Sequence, residues 1–195
     1  MFTQTVVVHE TEFSGVDWEE KVRERLRPRL AEADYDGMVV TELDEIAWLY
    51  NLRGEGASHN EGLYHSPTFD SLSLVSQQEV ILWLHLDQVT PEVREQLARP
   101  GCTSTCVELR DISHSMKDLT EWLSFHPEVS SLLVTKPSNY LSGASYAVYS
   151  ALPTNVTRRV FRLILQQQTG VNTILIVIRI PFTFFLFFSC KTVNP

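Results

Sequence analysis

The sequence predicts an α/β fold: a mixed β-sheet of about five to six strands flanked by helices. Three observations predict it. Amphipathic stretches with helical spacing alternate with short β-branched apolar runs. Two of those runs are separated only by a polar turn, which makes an antiparallel hairpin inside an otherwise helix-linked series and hence a mixed sheet. The chain has 195 residues of which 44% are apolar, enough for one domain with a packed core.

The first helix is expected over Asp17 to Ala33. Asp17 followed by Glu20 makes a capping box, and Trp18, Val22, Leu26 and Leu30 fall on one face. Pro28 lies late in this helix and is expected to leave its last turn irregular. Asp36-Gly37 then turns the chain into a buried strand, Met38 to Thr41. Thr41 is expected to cap a second helix in which Leu43, Ile46, Ala47 and Tyr50 form the inward stripe, with Glu42, Asp44 and Glu45 at its positive end. Leu52-Arg53-Gly54 reads as its stop. Glu55 to Asp70, rich in Gly, Ser, His and Asn, reads as an exposed excursion without periodicity.

Ser71 to Val75 and Val80 to Leu86 are the hairpin strands around Ser76-Gln77-Gln78. Thr90-Pro91-Glu92 starts a short helix with proline at its first position, ended by Pro100-Gly101. Cys106 to Leu109 follows as a strand. Ser115 to Phe125 is a helix with Met116, Leu119 and Leu123 inward, Leu132 to Thr135 the last strand, and Ser145 to Leu152 a closing short helix. Trp48, Trp83 and Trp122 fall on element faces and are expected to pack in the core.

Charge is distributed unevenly. The first 153 residues carry 24 acidic against 11 basic side chains, net −13, whereas everything after Pro153 lacks Asp, Glu and His. An acidic body repels nucleic acid and anionic lipid, so neither is an expected partner. The N-terminus has no basic segment followed by an apolar run, so no signal peptide is predicted. Three cysteines allow one disulfide. Cys102 and Cys106 are close enough to bridge across a tight loop, and two free thiols are the alternative. His59 and His65 share the excursion with Glu55, Glu61 and Asp70, a set without the spacing that pre-organises a metal site.

The segment from Val40 to Gly54, Val-Thr-Glu-Leu-Asp-Glu-Ile-Ala-Trp-Leu-Tyr-Asn-Leu-Arg-Gly, resembles a stretch of the Xaa-Pro aminopeptidases, the aminopeptidase P family of the creatinase and prolidase group. Gly15 to Val22 resembles the same family's leading helix, and Ala144 to Tyr149 with Leu152-Pro153 its later strand-to-helix passage. The resemblance covers residues 13 to 155 and implies a creatinase N-terminal-like α/β domain there, with a further domain ahead of it and a metal-binding catalytic domain after it. It departs from the family after Gly54, where Glu55-Gly56-Ala57-Ser58-His59-Asn60 stands in place of the usual continuation and Ser66-Pro67-Thr68-Phe69 is the displaced strand start.

The resemblance implies removal of the residue preceding proline at peptide N-termini. It also implies two divalent metal ions, manganese or zinc, held by a catalytic domain. The ligands for those ions are not expected in this chain, because the region where that domain should begin has no Asp, Glu or His. The chain therefore reads as the non-catalytic part of such an enzyme, truncated before the metal-binding domain and inactive alone. Its expected partners are the missing catalytic domain, a second copy in a homo-oligomer, and proline-containing peptides in the full-length setting only. The alternative is a non-enzymatic binding or regulatory protein that pairs with a full-length homologue.

Arg53 is the leading candidate for contact with substrate, since a planar guanidinium after a helix can reach a neighbouring cleft and hold a peptide carbonyl or carboxylate. Asn51 is its companion; pairing of Arg53 with Asp44 or Glu45, or exposure to solvent, is the plainer reading. Cys102 and Cys106 resemble a cysteine pair in the membrane-bound branch of the family. With the sequon Asn155-Val156-Thr157 they favour an extracellular or membrane-bound parent, and a cytoplasmic one is the alternative. Residues 156–195 read as an unrelated apolar and basic tail, of the kind an unspliced intron or a frameshift produces. Its run from Thr173 to Phe188 is interrupted by Arg179 and Pro181, too short and too broken for a stable span, and prone to aggregation.

Overall fold

A computed structural model of the chain describes residues 5–55, 68–98, 106–135, 144–152 and 157–161. All of them belong to one compact unit, Met1–Leu165. The tail predicted from residue 156 lies outside the described residues except for 157–161, which form a further strand beside the one expected to be the last, Ser131–Thr135.

The centre is a six-stranded mixed sheet. Its strands are β2 (Gly37–Val40), β4 (Ser71–Ser76), β5 (Val80–Leu84), β6 (Val107–Asp111), β7 (Ser131–Thr135) and β8 (Thr157–Phe161), in the order β6-β5-β4-β2-β7-β8. β4 runs antiparallel to both neighbours, with Met38 opposite Val75 and Leu72 opposite Trp83. The β5–β6, β2–β7 and β7–β8 pairs are parallel. A second, two-stranded antiparallel sheet joins β1 (Thr5–Val8) to β3 (Leu52–Glu55), with Val7 opposite Arg53.

Helices cover both faces of the larger sheet, because alternate residues of each central strand point to opposite sides. Met38 and Val40 face a core built with Trp18, Val22, Leu26 and Leu30 of the first long helix, with Ile46, Leu49 and Tyr50 of α4 (Leu43–Tyr50), and with Val93 and Leu97 of α5 (Pro91–Leu97). Val39 faces the other core with Leu119, Trp122 and Leu123 of α6 (Ser115–Phe125) and Val148 of α7 (Tyr146–Ala151). Trp83 and Trp122 are buried as predicted, whereas Trp48 is only half-buried.

The mixed sheet, the hairpin, and the helices α4 to α7 follow the sequence reading closely, and α6 does so at both ends. Several details differ. A short helix, α1 (Thr11–Ser14), precedes the long one, which begins as α2 (Trp18–Glu20), runs through a wider π-helical stretch, Lys21–Leu26, and ends as α3 (Arg27–Glu32). The irregularity expected in its last turn therefore lies one turn earlier. Pro28 lacks an N–H and its ring crowds the carbonyl four residues back, so the preceding turn widens and Arg27 N–H reaches the Val22 carbonyl, five positions back.

Caps differ as well. Asp17 caps α2 through the Glu19 N–H, and Glu20 lies 3.6 Å from Arg25. Glu42, not Thr41, is the N-cap of α4 and makes no side-chain cap; its long side chain is not among the short acceptors that favour this position. Leu52-Arg53-Gly54, read as a stop, is strand β3. The stop is Asn51, left-handed at φ 53° and ψ 50°.

Candidate functional site

The corner between α4 and β3 holds both residues singled out for substrate contact, and it treats them oppositely. Asn51 is buried, 2% exposed. Its side-chain amide donates to the Val16 carbonyl at 2.9 Å and its Oδ1 accepts from the Lys21 ammonium at 2.5 Å. Its carbonyl accepts from the His9 N–H at 2.8 Å, which ties the end of β1 to the corner. Gln96 of α5 adds a bond from its amide to the Tyr50 carbonyl at 3.1 Å. Asn51 is thus held on every side by protein.

Arg53, two residues on, is exposed. Strand alternation turns Leu52 inward to the core and Arg53 outward, across the pair from Val7. The Arg53 side chain makes no hydrogen bond or ion pair among the described residues, the alternative pairing with Asp44 or Glu45 included. Gly54 keeps β3 close to the chain at Thr68, because a Cβ at that position would lie 2.6 Å from the Thr68 carbonyl oxygen. His9 stacks on Phe13 with ring centroids 5.9 Å apart. Burial, then the Arg53 and Lys21 charges, hold its imidazole below the usual histidine range.

Lys21 was not among the sequence candidates. It is 1% exposed, donates to the Trp48 carbonyl at 2.6 Å as well as to Asn51, and sits 4.1 Å from the centroid of the Trp48 ring. The Trp48 carbonyl belongs to the last turn of α4, the negative end of that helix, where a cation is favoured. Burial and the nearby Arg25 lower the ammonium pKa to about 8, against the opposing pull of Asp17. The sequence held one signal for it: Lys21 stands three positions after Trp18 and one before Val22, inside the apolar stripe.

The remaining candidates are dispersed. Cys106 is disulfide-bonded, while Cys102 lies outside the described residues. His59, His65 and Asn155 also lie outside them. Among the described residues no group of three or more His, Cys, Asp or Glu side chains is placed to hold a metal ion.

Comparison with known proteins adds the decisive observation. A family profile described as the Creatinase/Prolidase N-terminal domain matches residues 1–166. The chain belongs to this family. A stretch of similar sequence occurs in the probable Xaa-Pro aminopeptidases P of Aspergillus niger, 36% identical over 96 residues, and of Talaromyces marneffei, 35% identical over 94 residues. These matches take in 49% and 48% of this chain but only 14% and 13% of those proteins, so the matched region spans about a seventh of the relatives' length. The same fold is present in the X-prolyl aminopeptidase of Caenorhabditis elegans, described as a cytosolic enzyme with a di-nuclear active site. That match has a TM-score of 0.65 at 21% identity and covers 80% of this chain and 23% of the other. The Creatinase/Prolidase N-terminal domain here is therefore of the kind that Xaa-Pro aminopeptidase-like proteins carry.

Proposed function

We propose that this domain is a non-catalytic, active-site-flanking part of a metal-dependent Xaa-Pro aminopeptidase, and that Arg53 is the side chain it offers to the substrate cleft of a catalytic domain. The observation that carries the reading is the contrast at the corner. Asn51 is locked by hydrogen bonds of its side chain and its backbone to Lys21, Val16, His9 and Gln96, so the adjoining strand is held rigidly, and the neighbouring guanidinium is left outward and unpaired among the described residues. A planar fork of donors on a rigid strand suits a peptide carbonyl or carboxylate. Asn51 itself acts by positioning, since its polar atoms are already occupied.

The described residues do not fit the two divalent ions that the family resemblance implies, because they bring no three ligand side chains together. No chemical step is assigned to a metal on this domain. The X-Pro bond is a tertiary amide without an N–H, so its recognition depends on groups that reach its carbonyls; Arg53 is of that type. Pairing of two such domains in a homo-oligomer is part of the same proposal, and light scattering of the purified chain measures it.

The test is hydrolysis of an X-Pro peptide by the purified chain with manganese or zinc added, beside the same assay on an Xaa-Pro aminopeptidase containing this domain and its Arg53→Ala variant. The expected results are no turnover by the chain and a reduced kcat/KM in the variant. Metal-dependent turnover by the chain alone would overturn the non-catalytic reading, and an unaltered kcat/KM would remove Arg53 from the cleft.

A further inference from the structure

Lys21 is a fully buried ammonium whose partners are all neutral. Among the described residues no carboxylate hydrogen-bonds to it or pairs with it; its acceptors are the Trp48 carbonyl and Asn51 Oδ1, and its third neighbour is the Trp48 ring. It also lies at the start of the π-helical stretch, Lys21–Leu26, where the backbone departs from regular α-helix. Two unrelated features, a buried charge whose hydrogen-bond acceptors are all neutral and a widened turn, therefore coincide at the joint between the long helix and the α4–β3 corner.

We propose that this joint is proton-linked: the leading segment of the long helix detaches from the corner with uptake of a proton by Lys21, and the joint closes more tightly as the solution becomes alkaline. The physical reason is desolvation. A charge taken out of water into neutral surroundings is costly, and the helix dipole and ring repay only part of the cost. The neutral amine escapes that cost and still donates to both acceptors.

The groups that face Lys21 support a window between about pH 8, where the buried amine titrates, and the ordinary lysine value of 10.5. From its own helix Arg25 favours the neutral amine and Asp17 the charged one. From β1 and β3 come His9, whose imidazole titrates below the usual histidine range and hence below the window, and Arg53 beside it. From α4 and α5 come the uncharged Trp48, Asn51 and Gln96. Burial pushes the Tyr50 hydroxyl upward, out of the window.

The sign follows from the lowered value. Inside the window the closed joint binds fewer protons than the open one, so the opening constant falls up to about tenfold per pH unit, and below the window it is flat. Trypsin reads this opening, because Arg23 and Arg25 lie in the π stretch and their cleavage requires the helix to come away. Cleavage after these two arginines is followed by mass spectrometry from pH 7 to 10, normalised to a free peptide substrate at each pH. The expected result for the unmodified chain is a normalised rate that is level to about pH 8 and then falls up to about tenfold per unit. Lys21→Met, which has nothing to titrate, and Lys21→Arg, which stays charged, should both be level throughout. Lys21→Arg serves alone if Lys21→Met does not fold. A level profile in the unmodified chain, or a fall that persists in the variants, would overturn the proposal.

Discussion

Lys21 and Asn51, thirty positions apart in the chain, meet inside the protein: the lysine ammonium donates to the asparagine Oδ1 at 2.5 Å. The contact joins the long helix to the left-handed residue that ends α4 and starts β3. It is the point at which the Arg53-bearing strand is fastened to the body of the domain.

Removing the Asn51 side chain should therefore cost far more than an ordinary polar substitution. Asn51→Ala loses the bonds to Lys21 and Val16 and places an L side chain without a compensating bond at φ 53°. A loss of roughly 3 kcal/mol is expected, from a charge-assisted and a neutral hydrogen bond together with the left-handed backbone. Asn51→Gly keeps the backbone freedom and should be less damaging by about 1 kcal/mol. Urea unfolding at neutral pH measures both.

Arg53→Ala should leave stability within about 0.5 kcal/mol of the original, because the side chain is exposed and unpaired among the described residues. The same unfolding experiment checks it. A large loss would mean that Arg53 is a structural residue, contrary to the role proposed for it.

Asp36 fastens the turn before β7 to the start of β2. Its Oδ2 accepts from the Ser130 and Ser131 N–H groups, both at 2.8 Å, and from their hydroxyls. Burial alone would raise its carboxyl, but these four bonds outweigh it and hold the group below the usual aspartate range. Because the folded value is depressed, the stabilisation is present above the unfolded value of about 4 and is lost as pH falls through the lower folded one. Asp36→Ala should thus be less stable at neutral pH, with the gap closing as the solution is acidified. Thermal unfolding of both proteins between pH 7 and pH 2 is the measurement, and a gap that stays constant would contradict it.

Gly37 opens β2 with no room for a side chain. A Cβ there would lie 2.8 Å from the Val75 carbonyl oxygen and 3.1 Å from Leu132. The first contact is backbone in a paired strand and cannot give way cheaply, so Gly37→Ala should destabilise by about 1–3 kcal/mol through overpacking. Far-UV circular dichroism during urea unfolding follows the loss.

Much of this architecture was legible in the residues themselves. α6 announced itself through the spacing of Leu119 and Leu123, and its ends at Ser115 and Phe125 are where the apolar period begins and stops. The β4–β5 hairpin was visible because two apolar runs flank a short polar turn. The β1–β3 sheet was not. Leu52-Arg53-Gly54-Glu55 has neither β-branched residues nor apolar alternation, and it is a strand only because Thr5–Val8 lies opposite it.

The sequence by itself determined the α/β class and the family resemblance and singled out Arg53 as a candidate, since periodicity and a run of matching residues are local properties of the chain. Only the tertiary structure decided that Asn51 is buried while Arg53 faces out, and that a lysine in an apolar stripe fastens Asn51 to the long helix. Those facts depend on which distant groups arrive at the corner. The cost of burying an ammonium is set by the Trp48 carbonyl and ring and by Asn51, about thirty residues away along the chain, and no local pattern records what will be waiting there.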